Sequence, residues 1–289
     1  DAFWVQKFNF GKLIKDSSFI SNLSLIHELS YFSNARLYVD NSPFDGFYQN
    51  FYLDTLSTND SLSTQRIQNS ISIKNEKRIP FEIGIKHDYI LFADTINEER
   101  SSNFTPFLNL GIDLNRFKLN FNAEYIISNG RYNNDFQIGG NLRFMDIYAN
   151  IKLMNKSVDY FYNRYMTNNF RWTNNFSKTQ SFNTNLGYKF KENLSINLGY
   201  FLIDNIVYID SYLKPNQTDK STSILQASLL HKFKLGVFNL TGVMSVQKLS
   251  SEEAIRVPFF QAKQGISVSF KMFKKKLHTQ VGFDYEVSS

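Results

Sequence analysis

Apolar and polar residues alternate along almost all of this chain, and that period of two excludes most of what 289 residues can become. Between Phe117 and Tyr125 the odd positions hold Phe117, Leu119, Phe121, Ala123 and Tyr125. The even positions hold Lys118, Asn120, Asn122 and Glu124. A strand sends successive side chains to opposite faces, so one face of this segment is apolar and the other polar. Phe104, Pro106, Leu108, Leu110, Ile112 and Leu114 share a face in the same way, as do Phe136, Ile138, Gly140, Leu142 and Phe144. The helical period is almost absent.

Even parity runs unbroken through Phe170, Trp172, Phe176, Phe182, Leu186, Tyr188 and Phe190, which predicts one long strand from Asn169 to Phe190. With that choice the links alternate in length. Short ones fall at Asn75 to Arg78, Asn115-Arg116, Met145-Asp146, Lys191-Glu192-Asn193, Lys234-Leu235-Gly236 and Phe273-Lys274-Lys275. Longer polar ones fall at Asn41 to Gln65, Asp94 to Ser102, Ser128 to Asn134, Asn155 to Thr167, Ser211 to Ser221 and Lys248 to Phe259. Tight turns on one rim and long loops on the other are the layout of an up-and-down transmembrane β-barrel. We expect a single all-β barrel domain over 1–289 with about thirteen strands from near Phe19. A partial strand is expected at Trp4, Phe8 and Phe10. Single-chain bacterial barrels use even strand numbers, so an incomplete barrel, truncated at one or both ends, is expected.

Composition agrees. The chain holds 29 Phe and 16 Tyr, yet no run approaches the roughly 20 apolar residues of a membrane helix. Strands closed into a barrel satisfy every backbone group in lipid while keeping average hydropathy low. The absence of cysteine rules out disulfides and thiolate metal sites. Asp1-Ala2-Phe3-Trp4 lacks the basic and apolar regions of a signal peptide.

If the apolar face meets lipid, the polar face lines the lumen. The main pore-lining candidates are Glu82, Lys86, Asp88, Asp113, Lys118, Glu124, Arg143, Lys152 and Arg171, with Glu28, Lys189, Lys232, Lys271 and Asp284 beside them. Charged rings in a water-filled pore set selectivity, although opposed charges also simply pair across a lumen. Basic residues slightly outnumber acidic ones in this set, and Lys189, Lys232 and Lys271 sit near the mouth. The expectation is therefore a weak anion preference that fades as salt rises.

Asp159 to Tyr165 crowds Tyr160, Tyr162 and Tyr165 around Arg164 in an outer loop, either as a solute contact or as part of an interfacial aromatic girdle. Turn basics such as Lys77, Arg116 and Lys191 are scattered, so the +6 formal charge forms no continuous nucleic-acid footprint. His27, His87, His231 and His278 lack metal-ligand spacing, and His87 and Asp88 point to opposite faces. No phosphate loop or nucleophile elbow is present, so no catalytic or metal residues and no cofactor are expected.

Several segments resemble a known family. They are Leu25-Ile26-His27-Glu28-Leu29-Ser30-Tyr31, Asn168-Asn169-Phe170-Arg171-Trp172 and Ile206-Val207-Tyr208-Ile209-Asp210. To these are added Arg256-Val257-Pro258, Gly265 to Phe270, and the run from Phe273 through the lysine turn to Gln280-Val281-Gly282-Phe283-Asp284-Tyr285. Together they resemble the putative-porin family of Bacteroidota outer membranes. The resemblance implies a Gram-negative outer-membrane location and transport of small hydrophilic solutes by passive diffusion, with weak charge selection. Expected partners are outer-membrane lipid and the solute, together with either a second copy of the chain or another envelope protein. The alternative is a plugged barrel that anchors another envelope protein, since a large lumen can be filled.

Overall fold

The computed structural model describes residues 1–12, 19–42, 46–77, 79–191, 193–274 and 276–289. Arg78, Glu192 and Lys275, expected in short turns, lie outside the described residues. The chain opens with β1 (Ala2–Asn9), then β2 (Leu23–Asp40), β3 (Thr58–Asn75), β4 (Phe81–Ala93) and β5 (Glu98–Leu114). Next come β6 (Phe117–Tyr125), the two-residue β7 (Ile127–Ser128), β8 (Phe136–Phe144) and β9 (Ile147–Lys156). One turn of helix, α1 (Tyr160–Asn163), leads into the short strands β10 (Arg164–Met166) and β11 (Arg171–Thr173). After β12 (Thr179–Phe190) and β13 (Leu194–Asp204), a second small hairpin is made by β14 (Val207–Ile209) and β15 (Pro215–Gln217). The chain closes with β16 (Thr222–Leu235), β17 (Phe238–Leu249), β18 (Phe260–Met272) and β19 (Leu277–Ser288).

One antiparallel sheet contains all of these except the hairpins β10-β11 and β14-β15, and its strands follow chain order from β1 to β19. The sheet is open: among the described residues β1 pairs only with β2, and β19 only with β18. Along this path thirteen strands follow β1, matching the strand count read from the alternation. No helix among the described residues is long and apolar enough to cross a membrane, which says nothing of crossing by strands.

Register carries each face across the sheet. Leu119 stands opposite Ile112 and Leu142, and Lys118 opposite Asp113 and Arg143. On β3 to β5 burial then separates the two faces in the sense opposite to a water-soluble protein. On the polar face Ser72, Asp88, Asn103 and Thr105 are only 3–6% exposed. On the apolar face Ile71, Ile83 and Ile85 are 45–53% exposed. Isoleucine outside and serine and aspartate inside is stable only where the exterior is itself apolar. His87 and Asp88 divide as the alternation requires. His87 stacks on Phe104 at 4.5 Å on the outer face, and Asp88 accepts hydrogen bonds from Arg66 and Gln68 on the inner one.

The short links form one rim, where Asn115, Met145, Lys191 and Gly236 take left-handed φ values of 47–63° to reverse the chain within a few residues. On the inner face Gly187 lets the Tyr148 ring lie flat against β12, where a Cβ would collide with it, and the Tyr148 hydroxyl reaches Asn197.

Four expectations are corrected. The segment from Asn169 to Phe190 is not one strand: Arg171–Thr173 pairs with Arg164–Met166 in a separate hairpin, and the sheet strand begins at Thr179. The parity there is real but serves the hairpin, where Trp172 stacks on Tyr165 at 4.4 Å. The expected partial first strand is a full one, with Phe10 in a 3-10 turn just beyond it, and β2 begins at Leu23. The links expected at Asn41 to Gln65 and Asp94 to Ser102 shrink to 41–57 and 94–97, because β3 and β5 extend their hairpins well past the apolar band. The fifth tight turn falls at Gly236-Val237, with Lys234 and Leu235 still in β16.

Candidate functional site

The inner face has two electrostatic halves. From β1 to β6 acids and bases alternate and pair. Lys86 reaches Glu124 at 3.2 Å, Arg66 reaches Asp88 at 2.7 Å, and Lys118 reaches Asp113 at 2.7 Å. Glu82 accepts a hydrogen bond from Ser72 at 2.8 Å. Glu28, Glu82, Glu124 and Lys86 ring a hollow of about 260 Å³ in this half. Among the described residues no group of His, Asp and Glu is arranged to hold a metal ion.

From β8 to β18 every charged residue on the inward register is basic: Arg143, Lys152, Lys156, Lys189, Lys232, Lys234, Lys263 and Lys271. Among the described residues none of these forms an ion pair. Acids resume only on β19, where Glu286 stands opposite Lys263 and Asp284 opposite Gly265. Unpaired like charges on one wall attract counter-ions along it, most strongly where low-dielectric surroundings focus the field.

Over the paired half lies an infolded segment. Asp159 caps α1 by accepting the Phe161 N–H at 3.0 Å. Tyr160, fully buried, stacks on Phe92 of the inner face at 4.9 Å and lies under the Arg131 guanidinium. The Met166 N–H donates to Asp94 at 3.0 Å, and Arg164 donates to Asn97 at 2.8 Å. Burial raises the pKa of the Tyr160 and Tyr165 hydroxyls above the ordinary tyrosine value.

The segment is fastened at Asn168, which is 1% exposed. Its side-chain oxygen accepts the Leu53 and Asp54 N–H groups at 3.0 and 2.9 Å. Its amide donates to the Asp54 and Ser57 carbonyls and the Thr58 hydroxyl at 2.8–3.1 Å. Its backbone N–H donates to the inward Asp60 carboxylate at 2.8 Å, and its carbonyl accepts the Tyr52 N–H at 2.7 Å. The loop 46–57 and the infolded segment are thereby one unit, seated on the inner face of β3. Beside the joint, Tyr48 and Tyr38 share a hydroxyl–hydroxyl bond of 2.8 Å, and that bond, with burial, pushes the Tyr48 pKa up to about 12.

At the long-loop rim, loops 46–52, 169–172 and 210–214 enclose a cleft of about 660 Å³. Rings from all three loops line it, together with Arg171 and Lys214.

Glu82, Lys86, Asp88, Asp113, Lys118, Glu124, Arg143 and Lys152 all sit on the inner face. Arg171 does not: it belongs to the β10-β11 hairpin and lines the outer cleft. The aromatic loop residues are placed differently from one another. Tyr160 is sealed in, Arg164 is tied to Asn97 and Tyr165 packs on Trp172, which leaves Tyr162, 41% exposed, as the ring most open to solvent. Asn168 lies in a segment that resembles the family, but its fastening role, and those of Asp60 and Asp94, depend on long-range loop contacts that no local pattern encodes. The sequence reading passed over Lys156, Lys234 and Lys263, which strict parity would have placed on the inner face.

An antiparallel sheet in chain order, apolar outward and polar within, defines the wall of a transmembrane up-and-down β-barrel. The whole chain, residues 1–289, matches the family model described as putative porin, and it belongs to that family. No curated protein matches it. Among solved structures it is similar to the siderophore receptor PirA from Acinetobacter baumannii, with a TM-score of 0.58 at 9% identity over 91% of this chain and 47% of that one. It is similar to the copper transporter OprC, with a TM-score of 0.59 at 9% identity over 92% of this chain and 49% of that one. It also resembles the FrpB iron transporter from Neisseria meningitidis, with a TM-score of 0.54 at 8% identity over 86% and 47% of the two chains. The chain spans about half the length of these structures, and at such identity the likeness is one of fold.

Proposed function

We propose that this chain forms part of the wall of an outer-membrane channel through which small hydrophilic solutes diffuse passively, with a preference for anions. The observation that carries the reading is the inverted burial on β3 to β5: Ser72, Asp88, Asn103 and Thr105 are buried on the inner face while Ile71, Ile83 and Ile85 are exposed on the outer one. Family membership and the fold of the similar receptors and transporters support an outer-membrane setting, with the short-turn rim periplasmic. The anion preference follows from the unpaired basic half of the wall, and the infolded segment narrows the passage from the opposite half. No catalysis is assigned to the inner face.

The competing reading, a plugged barrel that anchors an envelope partner, draws on the same tightly fastened segment. Planar-bilayer recording of the full-length protein separates the two. The channel reading expects discrete conductance steps and, across a salt gradient, a reversal potential of anionic sign that shrinks as salt rises. An electrically silent protein, or a cation-selective one at low salt, refutes it.

A further inference from the structure

We infer that the cleft at the long-loop rim is a capture site for a ring-bearing organic anion. Its volume of about 660 Å³ lies within the ~300–1,000 Å³ typical of small-molecule sites. Three separate loops supply its chemistry. Tyr48 meets Phe170 edge to face across two of them, with centroids 6.4 Å apart, and Asn168 locks those two together. Trp172 is held from behind by its stack on Tyr165 and by its indole N–H, which donates to the Phe161 carbonyl at 2.8 Å. The third loop brings Tyr212, which is 82% exposed. Rings held this way offer flat faces at little entropic cost on binding.

The charges of the cleft are arranged for an anion. Asp210 is the acid among its lining residues, and its carboxylate is turned back to its own loop, accepting the Tyr212 and Lys214 N–H groups at 2.9 and 3.0 Å. That turn, with Leu213 in the left-handed region at φ 60°, sets Tyr212 and Lys214 on the cleft wall. Among the described residues neither Arg171 nor Lys214 has an ion-pair partner. Their cations are free for a carboxylate while the rings take the body of the ligand. An acidic sugar and an aromatic carboxylate share this chemistry.

Calorimetric titration of the detergent-solubilised full-length protein tests the inference, with trigalacturonate and salicylate as anionic probes and maltotriose and benzyl alcohol as their neutral counterparts. At least one anionic probe is expected to bind, with its neutral counterpart at least about tenfold weaker. The double variant Arg171→Gln, Lys214→Gln should weaken binding by at least about tenfold, the loss expected for charged hydrogen bonds. Tyr212→Ala should weaken it without altering the heat-modifiable gel mobility that reports the folded barrel. Binding of trigalacturonate alone identifies an acidic saccharide, binding of salicylate alone an aromatic carboxylate, and binding of both the shared chemistry. Failure of both anions, equal binding of the neutral probes, or an unaffected double variant overturns the inference. Conductance of the double variant is a separate readout, so the channel reading survives the loss of this site.

Discussion

Replacing Asn168 by alanine should release the infolded segment without unfolding the sheet. The substitution strands the Leu53 and Asp54 N–H groups and removes the amide that serves two carbonyls and the Thr58 hydroxyl. A stranded buried donor costs about 1–3 kcal/mol. These donors are only partly buried, so the lower half of that range applies, and the two together cost about 2–4 kcal/mol. Each 1.4 kcal/mol is tenfold in an equilibrium constant, which raises the open population of the segment roughly 30- to 700-fold. The sheet strands contribute nothing to this joint beyond Thr58 and Asp60 at one end of β3, so their pairing survives. Limited proteolysis should cut Asn168→Ala between 46 and 57 or between 157 and 178 at least tenfold faster than the parent. Single-channel conductance should rise as the lumen clears. Unchanged cleavage together with unchanged conductance would refute the assignment of Asn168 as the fastening point.

The buried Tyr160 hydroxyl makes no hydrogen bond among the described residues. Tyr160→Phe should therefore leave loop stability unchanged or raise it by up to about 1 kcal/mol, read from the same cleavage rate, and a clear loss would show a missed partner. Lys152→Glu with Lys263→Glu should shift the reversal potential towards cations at 0.01 M salt, where the screening length is about 30 Å, and have little effect at 1 M, where it is about 3 Å. An equal shift at both salts would contradict an electrostatic origin. Tyr48 titrates near 12 in the folded protein against about 10 for a free tyrosine. The folded state thus holds the extra proton between these values, and the stability it lends the loop joint is present below pH 10 and lost as pH rises towards 12. Cleavage of loop 46–57 should accelerate over that window, and Tyr48→Phe should remove the acceleration.

The sheet was legible because period two is a local signal repeated on every strand: Phe117 to Tyr125 declares its two faces without reference to any neighbour. The same parity misled at Trp172 and Phe176, since a loop hairpin alternates as a sheet strand does and no sequence rule separates them. Link length was overestimated at Asn41 to Gln65 because the outer end of β3, Thr58 to Gln65, is polar on both faces apart from Leu62, as a strand above an apolar layer can be. Inner-face pairs such as Lys86 with Glu124 required only parity and register. Asn168 stood out only as the first residue of a family-like segment; its part in the joint required knowing which loops meet, over a separation of more than a hundred residues. The basic half of the wall was partly visible: Arg143, Lys152, Lys189, Lys232 and Lys271 were picked out, but its lack of acids emerged only once each strand had a register.

A cysteine scan along β6, read by channel block, tests the central claim most directly. Each residue from Lys118 to Glu124 is replaced in turn in the full-length protein, and a bulky water-soluble thiol reagent is added during bilayer recording. The inverted-barrel account predicts block at positions 118, 120, 122 and 124 and none at 119, 121 and 123. Block at the odd positions, or at odd and even positions alike, would contradict it.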